Sequence, residues 1–441
     1  MAFQQGLSGL NSSSKALDVI SNNVANSGTV GFKAAGAHFS DVFAASLTGA
    51  GASQVGIGTS LAAVVQQFTQ GNITTTNNPL DVSINGGGFF RMSQDGAITF
   101  SRNGQFHLDK SGFIVNDGDL RLTGYAADGS GLIVPSTPVE LQLSSADQPP
   151  VATGASVGAF QGVRGNINLD SRATTPTTAW ASGPAVAAAP ATTLWSPNPA
   201  SYNYSTALSV YDSLGNAHTL TYYFVKTATA GQWQVYANVD GTTNQTVNLG
   251  AGAGNPATLQ FNTSGVLTTA MPLSISIDLA GVVQATGSTN NAATPLAFNV
   301  DFTGSTQFGS AFGTNRLEQD GYTSGRLSGL TVGADGVIQG RYSNGQARNL
   351  GQIVLANFTN PNGLINLGGN QWSESSVSGS PTVGAPNSGS LGVLQSAAIE
   401  ESNVDLTAEL VNMITQQRNY QANAQSIKTQ DSIMQTLVNL R

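Results

Sequence analysis

Residues 402–441 read SNVDLTAELVNMITQQRNYQANAQSIKTQDSIMQTLVNLR. Within them Leu406, Met413, Tyr420, Ile427 and Met434 recur every seven positions, and Leu410, Gln417, Ala424, Asp431 and Val438 form a second series offset by four. Spacings that alternate between four and three place both series on one stripe of a helix, the seam of a coiled coil. No Pro or Gly interrupts the run, and Ser402, with Asp405 three residues later, is read as the capping pair at its start. A helix of about 38 residues would be roughly 57 Å long, long for the core of a globular domain.

The opposite end of the chain repeats the pattern. Phe3, Leu10, Leu17 and Val24 are seven apart, with Leu7, Ser14 and Ser21 between them, and the pattern stops at Asn26-Ser27-Gly28, a helix C-cap. Two readings are open: a helical hairpin that closes one domain, or two helices completed by neighbouring chains. Ser14, Ser21, Gln417 and Asp431 in the seams leave a lone pair of helices little apolar surface to offset its ordering entropy. Other subunits are therefore expected to supply the rest, against Phe3, Leu7, Leu10, Leu17 and Val24 at one end and Leu406, Leu410, Met413, Tyr420, Ile427, Met434 and Val438 at the other.

Composition points the same way. Charged residues make up 9% of the 441, against about 25% in an ordinary soluble domain. A surface of uncharged polar groups has little electrostatic reason to stay apart from copies of itself; a Gly/Asn-rich secreted β protein shares this composition. Nucleic acid is not an expected partner, because only 16 Lys and Arg are scattered through a chain of net charge −8. There is no cysteine, hence neither a disulfide framework nor a thiolate metal site. The start lacks the contiguous apolar run of a cleaved signal, and no run reaches the length of a membrane span.

Between the helices the pattern is β. Asp95-Gly96, Asn103-Gly104, Ser111-Gly112, Asp117-Gly118 and Asp128-Gly129 separate short runs such as Ile98-Thr99-Phe100, the chemistry of tight hairpins. After an Ala/Pro/Thr-rich stretch a second β segment includes residues 219–225 (TLTYYFV) and 233–236 (WQVY). The short-turn style returns at Asp335-Gly336 and Asn344-Gly345. The expected fold is mainly β with long α-helical termini, in nested discontinuous domains. A terminal coiled-coil domain covers 1–30 and 400–441, connectors 31–70 and 372–399, an inner β domain 71–145 and 315–371, and an outer β domain, inserted in the inner one, 146–314.

The inventory for catalysis is poor. His38, His107 and His218 are far apart in sequence, and the last two read as surface or strand imidazoles. Asp117 and Asp119 lack the remaining ligands of a calcium loop. Gly86-Gly87-Gly88 opens no helix and makes a poor phosphate cradle; a tight bend or a close backbone approach is its expected use. No catalytic residue, cofactor or metal is expected, and an enzyme is not the expected class.

Several stretches together resemble the rod and hook axial proteins of the bacterial flagellum. They are Ser21-Asn22-Asn23-Val24-Ala25-Asn26 through Gly31-Phe32-Lys33, residues 70–76 (QGNITTT), 80–90 (LDVSINGGGFF) and 99–104 (TFSRNG), Glu401-Ser402-Asn403-Val404-Asp405-Leu406, and residues 417–423 (QRNYQAN). The signature positions are Asn22, Asn23, Asn26, Gly31, Phe32, Lys33, Asn403, Arg418 and Asn423. The large outer insertion resembles hook rather than rod members; a distal rod protein, a hook–filament junction protein and, outside the family, a secreted adhesin are the alternatives. The resemblance implies a homopolymer forming a curved tube outside the cell, a universal joint that passes motor torque to the filament. It also implies export by the flagellar type III apparatus without a cleaved signal, and rod, hook-cap and junction proteins as partners. Phe39 and Phe43 resemble the element shown to the export gate; the alternative is two ordinary core residues.

Overall fold

The computed structural model describes residues 2–42, 56–144, 146–156, 160–183, 195–282 and 291–439. The chain forms two compact units, one made of residues 1–145, 328–341 and 347–441, the other of 146–327 and 342–346. Helices α1 (Ala2–Ala25) and α2 (Leu406–Asn439) are the two α-helices of the described chain, and the described residues between them are mostly strand and turn.

The first unit is closed by strands from both sides of the sequence that leaves it. Ala347–Ile353 pairs antiparallel with Arg121–Ala126, placing Gln352 opposite Tyr125. Leu355–Asn357 pairs with Phe89–Gln94, and Gln371–Ser373 with Ala97–Ser101. Val82, Ile84, Phe90, Met92, Leu122, Ile338, Ile353 and Leu355 fill the main core beneath this sheet. A smaller aromatic cluster holds Phe89, Phe100, Phe358 and Trp372 with Phe68 against it; Phe68 meets Phe89 edge-on at 5.4 Å, a favoured aromatic geometry.

Segment 372–399, expected as a connector, is instead built into β structure. Thr382–Gly384 adds to Leu355–Asn357, Val393–Ser396 pairs with Val82–Asn85, and Ala398–Glu400 pairs with Ile73–Thr75. Its Gly and Ser content reads as flexible in sequence, but here it serves the turns between short strands. The N-terminal connector is also ordered where described: β1 (Ala35–Val42) and β2 (Gly58–Gln66) form a hairpin with Ala35 opposite Gln66. Its base is pinned by Trp372, whose Nε1 donates to Gln66 Oε1 at 2.5 Å.

The second unit is built from two sheets around one core. A four-stranded antiparallel sheet runs Tyr204–Tyr211, Ala217–Lys226, Gln232–Val239, Ala257–Gln260. A five-stranded one runs Val247–Asn248, Leu273–Ile277, Leu296–Asp301, Val163–Asn168, Gly313–Gln319. Alternate residues Leu220, Tyr222 and Phe224 point into the core with Trp233, Val235, Ile275, Phe298 and Phe302, the period of a strand with one buried face. Because Gly313–Gln319 completes the five-stranded sheet against Val163–Asn168, this unit continues past the boundary near 314 that turn spacing suggests.

Candidate functional site

The helix pair and the junction at its base are the parts of the first unit that the terminal sequences build. Helix α2 begins at Leu406 and is capped by Asp405, whose Oδ1 accepts from the N–H groups of Thr407 and Ala408 at 2.9 and 3.1 Å. Asp405, not Ser402, is therefore the N-cap; the Ser402 hydroxyl accepts only from Val404 N–H, at 3.4 Å. Helix α1 ends where Asn26 N–H returns to Asn22 O at 3.1 Å and the Asn26 side chain donates to the same carbonyl at 2.9 Å.

On α1 the contact between the two helices does not run along the apolar heptads, although Ile427 of the α2 series takes part in it. The buried positions of α1 are Gly6, Ser13, Ala16 and Asn23, a stripe of small and polar residues each one position before a member of the two heptad series (Leu7, Ser14, Leu17 and Val24). A Cβ on Gly6 would lie 3.0 Å from Ile427, and one on Gly9 would lie 2.8 Å from the Asn423 side chain. The absence of side chains at these two positions is what lets the helices approach. Asn23 Nδ2 donates to Glu409 Oε1 at 3.1 Å, and Asn23 Oδ1 accepts from Ala35 N–H at 2.9 Å.

This pairing leaves the expected assembly residues divided. Leu10, Leu17, Val24, Met413 and Ile427 are half-buried within the chain. Phe3, Leu7, Leu406, Leu410, Tyr420 and Met434 are exposed, as are Val411, Ile414 and Ile433 of α2. Phe39 is exposed on β1, beside Gly9, Thr59 and Asn423; Phe43 and the Val438 side chain lie outside the described residues.

Below the helices the signature residues converge. Lys33 Nζ donates to Glu400 Oε1 at 2.6 Å and to Thr69 O at 2.7 Å. Arg102 Nη1 donates to Glu400 Oε2 at 3.1 Å and Nη2 to Gly86 O at 2.8 Å, while Gly71 N–H donates to Glu400 Oε1 at 2.9 Å. The Lys33 and Glu400 side chains are 0% exposed and that of Arg102 4%. Two cations thus share one buried carboxylate. Burial pushes the Lys33 ammonium below its ordinary range, Glu400 opposes that shift and Arg102 adds to it.

Backbone contacts tie the same three segments together. Gly31, at φ +70°, donates its N–H to Glu400 O at 2.8 Å and lies so close to Arg102–Asn103 that a Cβ would stand 2.6 Å from Asn103 N. Asn403 Oδ1 accepts from Ala34 N–H at 2.7 Å, and its Nδ2 donates to Gln67 O at 2.8 Å. Of the remaining signature residues, Phe32 is half-buried, whereas Asn22 and Arg418 are exposed. In the sequence Lys33 and Arg102 lie within the family-like stretches, whereas Glu400, one residue before Glu401, lies just outside them. Its signal was faint: a carboxylate ending a short apolar strand, Ala398–Glu400.

Similarity to known proteins matches this geometry segment by segment. Residues 3–33 match the flagella basal body rod protein model, 83–175 the flagellar hook protein FlgE/F/G D1 domain, 168–322 the flagellar basal body protein FlaE D2 domain, and 395–440 the flagellar basal body rod FlgEFG protein C-terminal model. The flagellar hook protein FlgE of Salmonella typhimurium is 40% identical over 446 residues, covering all of both chains. The chain belongs to the flagellar hook protein family. The Escherichia coli FlgE is 41% identical over 445 residues, again covering both chains fully, and the Borreliella burgdorferi FlgE is 30% identical over 457 residues, covering 100% of this chain and 99% of that one. A crystal structure of Helicobacter pylori flagellar hook protein FlgE2 aligns with TM-score 0.48 and 14% identity over 73% of this chain and 99% of that chain. The family is a structural one of the bacterial flagellum, not a family of enzymes. Its rod-type models cover Lys33 at one end and Glu400 at the other, and its D1 model covers Arg102. The buried ionic junction therefore joins three separately matched segments.

Proposed function

We propose that this chain polymerises into the tubular, extracellular hook of the flagellum, and that the unpartnered apolar faces of α1 and α2 are the surfaces on which it does so. The observation that carries this reading is the mismatch between the two helix seams. The helices meet within one chain through Gly6, Gly9, Ser13 and Asn23, and so leave Phe3, Leu7, Leu406, Leu410, Val411 and Ile414 in solvent. Exposed apolar side chains gathered on the same two helices are what a copy of the chain can bury. Nested helices resist twisting and carry torque; outer β domains of low charge slide past one another as the tube bends, so that it acts as a universal joint. Export by the type III apparatus, addition beneath a cap protein, and rod and junction proteins at the two ends belong to the same proposal.

The test is to place charge on the face without touching the intramolecular seam. Leu410→Lys combined with Ile414→Lys is expected to abolish sedimenting polymer under conditions in which the unaltered chain forms tubes, while leaving the unfolding of the β units unchanged. Tubes of normal yield from the double variant would refute the reading.

A further inference from the structure

In the second unit a histidine is buried between two carboxylates. His218 is 1% exposed; its Nδ1 lies 2.6 Å from Asp240 Oδ2 and its Nε2 3.3 Å from Asp212 Oδ2. Both ring nitrogens thus face an acceptor. A neutral imidazole carries one N–H and can satisfy only one of them, whereas the imidazolium donates to both. Among the described residues, the charged groups that act on the ring include Asp212, from the turn after Tyr204–Tyr211, and Asp240, just beyond Gln232–Val239.

Asp212 also shapes that turn. Its Oδ1 accepts from the N–H groups of Leu214 and Asn216, each at 2.9 Å, and its Oδ2 from Asn216 Nδ2 at 2.9 Å. Asp240 Oδ1 holds Thr219 N–H at 2.6 Å. At the turn, Gly215 sits against the pair of segments by which the chain enters and leaves this unit: a Cβ there would be 2.6 Å from Pro150 and 3.2 Å from Thr323. Those segments form a two-stranded stem through the bridges Gln148 to Gly325 and Val151 to Tyr322. Thr153 ties stem to turn, its N–H donating to Tyr211 O and its Oγ1 accepting from Tyr211 N–H, both at 2.9 Å. On the stem itself Asp320 accepts from Gly154 N–H at 2.8 Å, and Asp147 lies 3.7 Å from Arg326.

We propose that His218 is a proton-controlled brace: as imidazolium it clamps the Asp212 turn and Asp240 together, and the turn in turn stiffens the two-stranded stem of the second unit. Loss of the proton leaves a ring lone pair facing a carboxylate oxygen, and the turn loosens. Burial alone would lower the pKa of His218, but its hydrogen bonds and charge contacts with Asp240 and Asp212 raise it above the ordinary value. A group whose folded pKa is raised stabilises the fold fully below its unfolded pKa of about 6.5, and that contribution is lost as pH rises through the folded value.

The experiment follows the imidazole C2–H resonance of His218 by NMR in the full-length chain, together with protection factors for the amides of Leu214, Val151 and Tyr322, across about pH 5.5 to 9. The expected result is a titration midpoint above about 6.5 and a fall in protection of roughly tenfold or more centred on that midpoint. Asp240→Asn moves both midpoints down together, and His218→Gln, which also assigns the resonance, makes protection independent of pH. If His218→Gln does not fold, the unaltered chain and Asp240→Asn still decide. A midpoint at or below about 6.5, or protection that stays flat through the titration, would overturn the proposal.

Discussion

Replacing Glu400 by Gln and Lys33 by Met should have very unequal effects, although the two side chains form one ion pair. The junction holds two cations and one anion, all buried. Glu400→Gln leaves Lys33 and Arg102 enclosed with no counter-charge. Removing one partner of a buried pair in this way destabilises by about 3–5 kcal/mol. Lys33→Met leaves a balanced Arg102–Glu400 pair, still supported by Gly71 N–H, and removes a cation whose desolvation opposes folding. The remaining loss is the hydrogen bonds to Glu400 and to Thr69 O, about 1–2 kcal/mol net. For a unit of this size, each kcal/mol corresponds to roughly 2–4 °C in Tm. Glu400→Gln should therefore lower the melting of the first unit by about 10 °C, and Lys33→Met by only about 4 °C. Trp372 is the tryptophan of that unit, packed on Phe68 and Phe89, so a chain carrying Trp→Phe at 180, 195 and 233 reports it alone in urea or thermal unfolding. Equal losses from the two variants, or a loss under about 1 kcal/mol from Glu400→Gln as for an exposed pair, would refute the argument that these charges are buried and unequal.

Two further variants probe the close approaches. Gly31→Ala places a Cβ 2.6 Å from a backbone nitrogen at φ +70° and should destabilise the first unit by about 2–3 kcal/mol in urea unfolding; Gly96→Ala, at φ +91° with open space around it, should lose only about 1 kcal/mol. Gly9→Leu drives a side chain into Asn423 and is expected to prevent polymer formation in a sedimentation assay while leaving Trp372-detected unfolding in place.

Much of this architecture is legible in the sequence. Heptads at both ends give the helices, because period 3.5 survives even when polar residues interrupt it. Asp-Gly and Asn-Gly pairs give the hairpins, because few other residues reach the required backbone angles. The intramolecular seam is not legible, since apolar periodicity points to Phe3 and Leu10 whereas the contact is made where side chains are small, at Gly6 and Gly9. Segment 372–399 misleads for a related reason: Gly and Ser serve both flexible linkers and the turns between short paired strands. Glu400 and Lys33 are 367 positions apart, and no local pattern records that they meet. His218 reads as an ordinary strand histidine because its partners are ordinary turn aspartates, which lie against it only once Tyr204–Tyr211, Ala217–Lys226 and Gln232–Val239 have paired.

Whether the terminal helices are the assembly element is tested by electron microscopy of the full-length chain beside a fragment of residues 31–404, which keeps Glu400 and Asn403 but lacks both helices, each concentrated under polymerising salt. Curved tubes from the full-length chain alone are the predicted result. Tubes formed equally well by the fragment would contradict it.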